Sequence, residues 1–82
     1  MIYETRDEGD VRVVVIQGEV DLLYADDMRT VLLEGIRSPA CGVLVDMTGV
    51  TLIDSSGIAS LLEALQTGRK RGKSLVLAGV GD

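Results

Sequence analysis

Apolar residues along the chain fall into short continuous runs, and stretches with helical spacing separate them. The runs Val11–Ile16, Gly42–Met47 and Ser74–Ala78 are rich in β-branched and aliphatic residues, which is typical of strands. In the first run the apolar side chains point both ways, so we expect both faces of that strand to be covered. Weak alternation over residues 2–6 predicts an edge strand before it.

Two amphipathic helices are predicted between the strands. Residues 25–37 place their apolar side chains on one face, with acidic residues in the first turn and Arg37 in the last, as the helix dipole favours. The second helix is predicted to begin at Ser56, and its apolar positions follow the spacing i, i+3, i+4, i+7 of a single face. Those positions are Ile58, Leu61, Leu62 and Leu65.

Turn-forming residues separate these elements. Asp7-Glu8-Gly9-Asp10 predicts a turn, Gly18–Asp21 is expected to break the second strand into a loop, and Ser38-Pro39 ends the first helix. Thr48-Gly49 is expected to turn the chain before residues 50–53. The order β-β-α-β-α-β predicts an α/β fold with a mainly parallel four-stranded sheet and one antiparallel edge strand.

The composition describes a single aliphatic domain over residues 1–82, with 46% hydrophobic and only 2% aromatic residues. Few aromatic side chains argue against binding of single-stranded nucleic acid, which relies on stacking. The formal net charge of −5 disfavours phosphate backbones and anionic membranes. The one basic cluster, Arg69–Arg71 with Lys73, either complements the dipole at a helix end or forms a docking patch.

The sequence lacks the residues that several kinds of catalytic and metal-binding site require. The sequence has no histidine, which removes Ser-His and Cys-His nucleophiles and most zinc sites, so we expect no enzyme activity, cofactor or metal. Gly72-Lys73-Ser74 resembles the end of a P-loop, but Thr67 stands where that pattern requires glycine. A single cysteine, Cys41, and the lack of a signal peptide or membrane-spanning run predict a cytoplasmic protein without membrane insertion.

Three polar side chains, Asp54, Ser55 and Ser56, stand at the junction between a predicted strand and the second helix. One interpretation is helix capping, which needs only one of them. The other is a modification site, because a phosphate is stabilised at the positive end of a helix. A phosphoserine there would add charge beside Asp54 and Asp21 without unfolding the helix. The residues alone leave both interpretations open.

The order of short motifs along the chain resembles that of a STAS domain, and most closely the anti-sigma factor antagonists of bacteria. The motifs are G-E-V-D at 18–21, V-L-V-D at 43–46 and V-T-L-I-D-S-S-G-I at 50–58, with a predicted helix between the first two. The resemblance covers nearly the whole chain in the same order.

This resemblance implies a phosphorylation switch at Ser55. In the family, the serine directly after the aspartate of D-S-S-G is phosphorylated by an anti-sigma factor that is also a serine kinase. The unphosphorylated antagonist binds the kinase and frees the sigma factor. The phosphorylated form is released, and a separate phosphatase resets it.

The resemblance also implies a partner-binding surface around Ser55. Gly57 would allow a partner's backbone to approach closely, and Ser60 and Glu63 are expected to be exposed on the second helix. The members of this surface are Asp21, Asp54, Ser56, Gly57, Ser60 and Glu63.

Two features depart from the family pattern. Tyr24 stands before the first helix, where a small or polar residue is expected. The family also continues after the last strand with at least one further helix, whereas this sequence ends at Asp82. We therefore expect a C-terminally incomplete STAS domain with a bare helix or sheet face, or an oligomeric partner, such as a homodimer, that covers it.

An alternative interpretation is a cytoplasmic STAS subunit of a lipid-transport ABC system. Such a subunit would form a stable complex with the transporter ATPase and carry no phosphate. The intact D-S-S-G motif favours the anti-sigma factor antagonist over this alternative.

Overall fold

A computed structural model describes residues 1–79, which form four strands and two helices. The first helix has the predicted bounds, and the second begins one residue earlier than predicted. The strands are β1 (Ile2–Glu8), β2 (Val11–Val20), β3 (Gly42–Ile53) and β4 (Ser74–Ala78), and the helices are α1 (Ala25–Arg37) and α2 (Ser55–Lys70).

The strands form one sheet in the order β1-β2-β3-β4. β1 pairs antiparallel with β2, and β3 pairs parallel with both β2 and β4. Because parallel neighbours cannot be joined by a tight turn, α1 and α2 serve as the two crossovers. The predicted mainly parallel sheet with one antiparallel edge strand is confirmed.

Two predicted breaks do not interrupt the strands. β2 continues to Val20, and β3 continues through Thr48-Gly49 to Ile53. The parallel pairing of β2 with β3 continues past these positions with shifts of register. One shift lies between Gly18 and Glu19. Gly18 has φ 88°, a conformation that glycine adopts without strain. Gly18 pairs with Val50 beside a bulge in which Thr51 of β3 is the extra residue, so the loop predicted to begin at Gly18 was wrong.

The core lies between one face of the sheet and the two helices. Each fully buried aliphatic side chain contributes about 1.5–3 kcal/mol relative to an exposed one, so this layer supplies the main stabilisation. The side chains buried most completely include Val14, Ile16, Met28, Leu32, Ile36, Val43 and Val45.

Helix α2 meets this core through small residues and the half-buried Leu61, rather than through Ile58 and Leu62. The small side chains let α2 lie close to α1 and the sheet, which leaves the predicted apolar face on the side of β4. Ile58 and Leu62 on that face are 48% and 53% exposed. The spacing therefore identified the helix but not the surface that it packs with. The buried residues of α2 are Gly57, Ser60, Ala64 and Gly68.

The opposite face of the sheet is not covered by either helix. Val11, Leu44 and Val76 lie on it, and Val76 is 54% exposed. On this face of β2, Val11 is 37% exposed but Val13 is only 3% exposed, so the expectation that both faces of the strand are covered holds at Val13 and fails at Val11.

The lowered pKa of Asp46, on this helix-free face, leads us to expect that the stability of the fold depends on pH. The Thr48 backbone N–H donates to Asp46 Oδ1 at 3.0 Å, and this bond, the Thr48 hydroxyl and the Arg6 charge lower the pKa of Asp46 below its ordinary value of 3.8. The ionised Asp46 therefore stabilises the fold above that ordinary value, and this stabilisation is lost as the pH falls through the lowered pKa.

We expect Asp46→Asn to remove this part of the pH dependence of the free energy of unfolding, as measured by urea denaturation at a series of acidic pH values. Thr48→Val is the control, because it removes the hydroxyl but keeps the backbone N–H and should retain part of the effect. Identical pH profiles for Asp46→Asn and the wild type would contradict this account.

Candidate functional site

The acidic residues predicted for the site lie where β2 and β3 end side by side. Val20 and Ile53 are register partners, and the Asp54 N–H donates to the Val20 carbonyl at 3.1 Å. Asp21 and Asp54 each follow directly after this last pair. The structure thus brings the two predicted carboxylates to the same edge of the sheet.

Asp21 organises the loop between β2 and α1. Its Oδ1 accepts the N–H of Leu23 at 3.0 Å, and its carbonyl accepts the N–H groups of Tyr24 and Ala25 at 3.0 and 2.9 Å. This pattern is an Asx-type turn. Tyr24 directly precedes α1 and makes no side-chain capping bond. Asp21 is therefore a turn former as well as a charge at the site.

Asp54 is the cap of α2, so one of the three polar side chains at this junction is assigned to capping. Its backbone is extended, and its Oδ1 accepts the N–H of Gly57 at 3.1 Å, as an N-cap side chain does. Ser55 is the first helical residue and is exposed, whereas Ser56 is half-buried. The capping bond is thus made by the carboxylate, and the Ser55 hydroxyl is not needed for it.

Gly57 is buried under the ends of β2 and β3. A Cβ at this position would lie 2.6 Å from Ile53 Cγ1 and 3.0 Å from Val20 Cγ1. The close approach that requires glycine is therefore made by the chain's own strands. The expectation that Gly57 is open to a partner's backbone was wrong.

Ser60 and Glu63 differ from each other in their surroundings. Ser60 is only 8% exposed, so the prediction that it lies on the surface was wrong. The reason is that Ser60 belongs to the small-residue side of α2 that packs inward. Glu63 is exposed, but its carboxylate is bound by Arg29 of α1 at 3.2 Å. This ion pair links the two helices.

Two leucines beside the site were missed by the sequence analysis. Leu22 and Leu23 follow Asp21 and are 76% and 79% exposed, because the turn directs them into solvent. An adjacent pair of large apolar residues in a loop was the signal available in the sequence. Exposed apolar side chains next to polar ones are typical of protein contact surfaces.

The residues described hold no group of three or more His, Cys, Asp or Glu side chains that could bind a metal ion. Within residues 1–79, neither helix combines the length and apolar character needed to cross a membrane.

The family described as "Mlab, STAS domain" matches residues 4–82. This is nearly the whole chain, and the chain therefore belongs to the STAS domain family. The resemblance inferred from the D-S-S-G motif is confirmed at the level of the family. No curated protein shows a significant sequence match.

Solved structures with the same fold include the Bacillus anti-sigma factor antagonist SpoIIAA. Its unphosphorylated form superposes with a TM-score of 0.82 at 14% identity, over 99% of this chain and 76% of that one. The phosphorylated form gives a TM-score of 0.75 at 17% identity, over 93% of this chain and 70% of that one. At these identities the likeness establishes the fold.

Two further neighbours are larger proteins. A sulfate transporter family protein from Wolinella succinogenes is 31% identical with a TM-score of 0.76, over 92% of this chain and 61% of that one. A protein named Mglu is 20% identical with a TM-score of 0.80, over 90% of this chain but only 18% of that one. This chain thus spans a minor part of Mglu.

We expect Asp54→Ala to lower the free energy of unfolding by about 0.5–2 kcal/mol, because it removes the cap of α2. Ser55→Ala is the matched control and should change stability by less than about 0.5 kcal/mol, because an exposed side chain outside the cap is lost. Denaturant unfolding of both variants measures this. A larger loss for Ser55→Ala than for Asp54→Ala would assign the cap to the serine instead.

We expect Gly57→Ala to destabilise the fold despite the better helix propensity of alanine. The propensity gain is about 1 kcal/mol, whereas overpacking against Ile53 and Val20 costs about 1–3 kcal/mol. Thermal unfolding should show a lower midpoint than in the wild type. Ser56→Ala at the neighbouring position is the control. A midpoint for Gly57→Ala above that of the wild type would show that the strand ends yield to the added methyl group.

Proposed function

We propose that this STAS domain acts as an anti-sigma factor antagonist. In its unphosphorylated form it binds an anti-sigma factor that is also a serine kinase, and this binding releases a sigma factor. Phosphorylation of Ser55 by that kinase ends the interaction, and a phosphatase restores the binding form.

The observation that carries this proposal is the division of roles between Asp54 and Ser55. The carboxylate caps α2, and the hydroxyl stands exposed on the first residue of the helix. A phosphate on Ser55 would lie at the positive end of the helix dipole, a position that favours anions. Modification there adds charge to the surface without removing a bond that the fold needs.

The surroundings of Ser55 support a contact that such a charge can break. Leu22 and Leu23 offer apolar surface at the same edge of the sheet. Covering that surface together with a phosphate dianion would cost desolvation, and Asp21 and Asp54 would add like-charge repulsion. A difference of about 2.7 kcal/mol is enough to lower the affinity a hundredfold.

The structural neighbours agree with this choice of function. SpoIIAA is an anti-sigma factor antagonist with both an unphosphorylated and a phosphorylated form, and this chain shares its fold. The D-S-S-G sequence at 54–57 supplies the acceptor serine that such a cycle requires.

A second candidate is a STAS subunit bound to a transporter ATPase. The description of the matched family names Mlab, and one structural neighbour belongs to a sulfate transporter family. In this role Ser55 would be only the first residue of a helix capped by Asp54. The two candidates differ in the partner and in the presence of phosphate on Ser55.

We expect the purified domain to be phosphorylated on Ser55 by an anti-sigma factor serine kinase of the same organism in the presence of ATP. Ser55→Ala should accept no phosphate and bind the kinase constitutively. Ser55→Asp should bind about a hundredfold more weakly, because it places a charge at the contact. Intact-mass and peptide mass spectrometry locate the phosphate, and calorimetry measures the affinities.

Ser56→Ala is the matched control and should still be phosphorylated and released. Equal affinity of Ser55→Ala and Ser55→Asp for the kinase would contradict the switch. Co-purification of the domain from its host with a transporter ATPase, with no phosphate on Ser55, would establish the second candidate instead.

A further inference from the structure

Helices α1 and α2 end side by side at the edge of the sheet where β3 and β4 begin. The packing there is close, because a Cβ at Gly68 would lie 3.8 Å from Ile36 Cδ1. The Lys73 ammonium group donates a hydrogen bond to the Ser38 carbonyl, which ties the turn after α2 to the segment after α1. The Lys73 N–H in turn donates to the Gly68 carbonyl at 2.8 Å. The two helix ends therefore form one continuous surface.

Basic side chains collect on this surface. Arg37 is the last residue of α1 and is exposed, and residues 69–71 are exposed where α2 ends. Both lysines of the chain lie at the end of α2 or directly after it. We call this surface the basic end, and its members are Arg37, Arg69, Lys70, Arg71 and Lys73.

Most of these cations lack an acidic partner on the part of the chain that the structure describes. The ion pairs found within residues 1–79 involve Arg6, Arg12 and Arg29, and none involves Arg37 or residues 69–71. The carbonyl ends of two helices amount to about one negative charge, since each helix contributes about half a charge. The five cations of the basic end exceed that charge. Complementing the helix dipoles therefore accounts for only part of the basic cluster.

We propose that the basic end is a docking site for an acidic segment of a partner protein. Three of its five cations are arginines, and a guanidinium group binds a carboxylate through two parallel hydrogen bonds. The formal net charge of the whole chain is −5, so the surface outside the basic end is strongly acidic. An acidic partner is repelled by that surface and directed to the basic end.

The surroundings of the basic end favour a protein segment over an anionic membrane. Residues 34–41 and 66–73 contain no exposed large apolar side chain, whereas helices that bind membrane surfaces insert such side chains. A flat anionic surface would also meet carboxylates at this edge. Glu34 lies one turn before the end of α1, and the Asp10 carbonyl accepts the Cys41 N–H at 2.6 Å. A narrow acidic segment can contact the cations and avoid these carboxylates.

The basic end is separated from Ser55 by the length of α2. The helix has 16 residues and is therefore about 24 Å long. Exposed charges are largely screened over this distance, because the Debye length at physiological ionic strength is about 8 Å. Docking at the basic end is thus independent of the phosphorylation switch, and one molecule can hold a partner at each end.

Calorimetric titration of the full chain with short poly-L-glutamate at low ionic strength tests this docking site. Arg69→Gln with Arg71→Gln should raise the dissociation constant about tenfold or more, because two carboxylate-binding groups are lost. Arg71→Gln alone should show part of that increase. Arg6→Gln is its matched control, because it removes the same charge from β1 and should leave the affinity unchanged. Ser55→Asp should also leave it unchanged.

Zero-length crosslinking locates the contact. A carbodiimide joins a carboxylate to an amine, and the only amines of the chain are Lys70, Lys73 and the amino terminus. We expect Lys70 to be crosslinked to poly-L-glutamate. Lys70→Arg keeps the charge, so it should bind with unchanged affinity but lose this crosslink. In an extract of the host, the peptide joined to Lys70 should be acidic, and it should be lost with Arg69→Gln and Arg71→Gln.

Three results would overturn the proposal. Poly-L-glutamate that does not bind, or that binds Arg6→Gln and the double variant Arg69→Gln with Arg71→Gln equally, would show that the basic end does not dock acidic segments. A double variant that is less stable but binds as the wild type does would assign the cations to the helix ends alone. Binding to phosphatidylglycerol vesicles or duplex DNA in preference to poly-L-glutamate would assign the surface to a membrane or a nucleic acid instead.

Discussion

The contact of Gly57 with the side chains of Val20 and Ile53 is the constraint on which the site depends. These two residues end the paired part of β2 and β3, and α2 can begin directly above them only because position 57 has no side chain. This short distance brings the Gly57 N–H to the Asp54 carboxylate and fixes the direction of the first turn. The exposed position of Ser55 follows from the same geometry, because the first helical residue points away from the strands.

The elements that the sequence predicted correctly are those with a strong local signal. α1 was predicted with its observed bounds because apolar spacing, acidic residues in the first turn and Ser38-Pro39 all agree. The mixed sheet was predicted correctly because apolar runs alternate with helical segments along the chain. Gly18 was misread because a glycine in a strand and a glycine in a loop look alike in sequence. Only the pairing with β3 shows that Gly18 lies inside the strand, beside a bulge at Thr51 of β3.

The orientation of α2 could not be predicted for a physical reason. The spacing of its leucines identifies a face, but the distance to α1 decides which face is buried. Small residues permit the closest approach, so Gly57, Ala64 and Gly68 face inward together with Ser60. Leu62 is left exposed on the side of β4, and Leu61 is only partly buried against the core. At the site, the motif predicted that Asp54 and Ser55 stand at the start of α2, but the separate structural roles of the acidic residues depend on hydrogen bonds that the sequence does not show. Asp54 as cap and Asp21 as turn former are examples.

The separation of the cap from the exposed serine has an evolutionary consequence. Because Ser55 is exposed and does not make the capping bond, most exchanges at this position cost the fold little, and selection for folding acts only weakly on it. Under the proposed function, a single substitution there would convert a domain that responds to a kinase into one that is permanently on or permanently off, while its architecture is retained. The proposed regulation could therefore be lost and regained within a lineage without any intermediate that fails to fold.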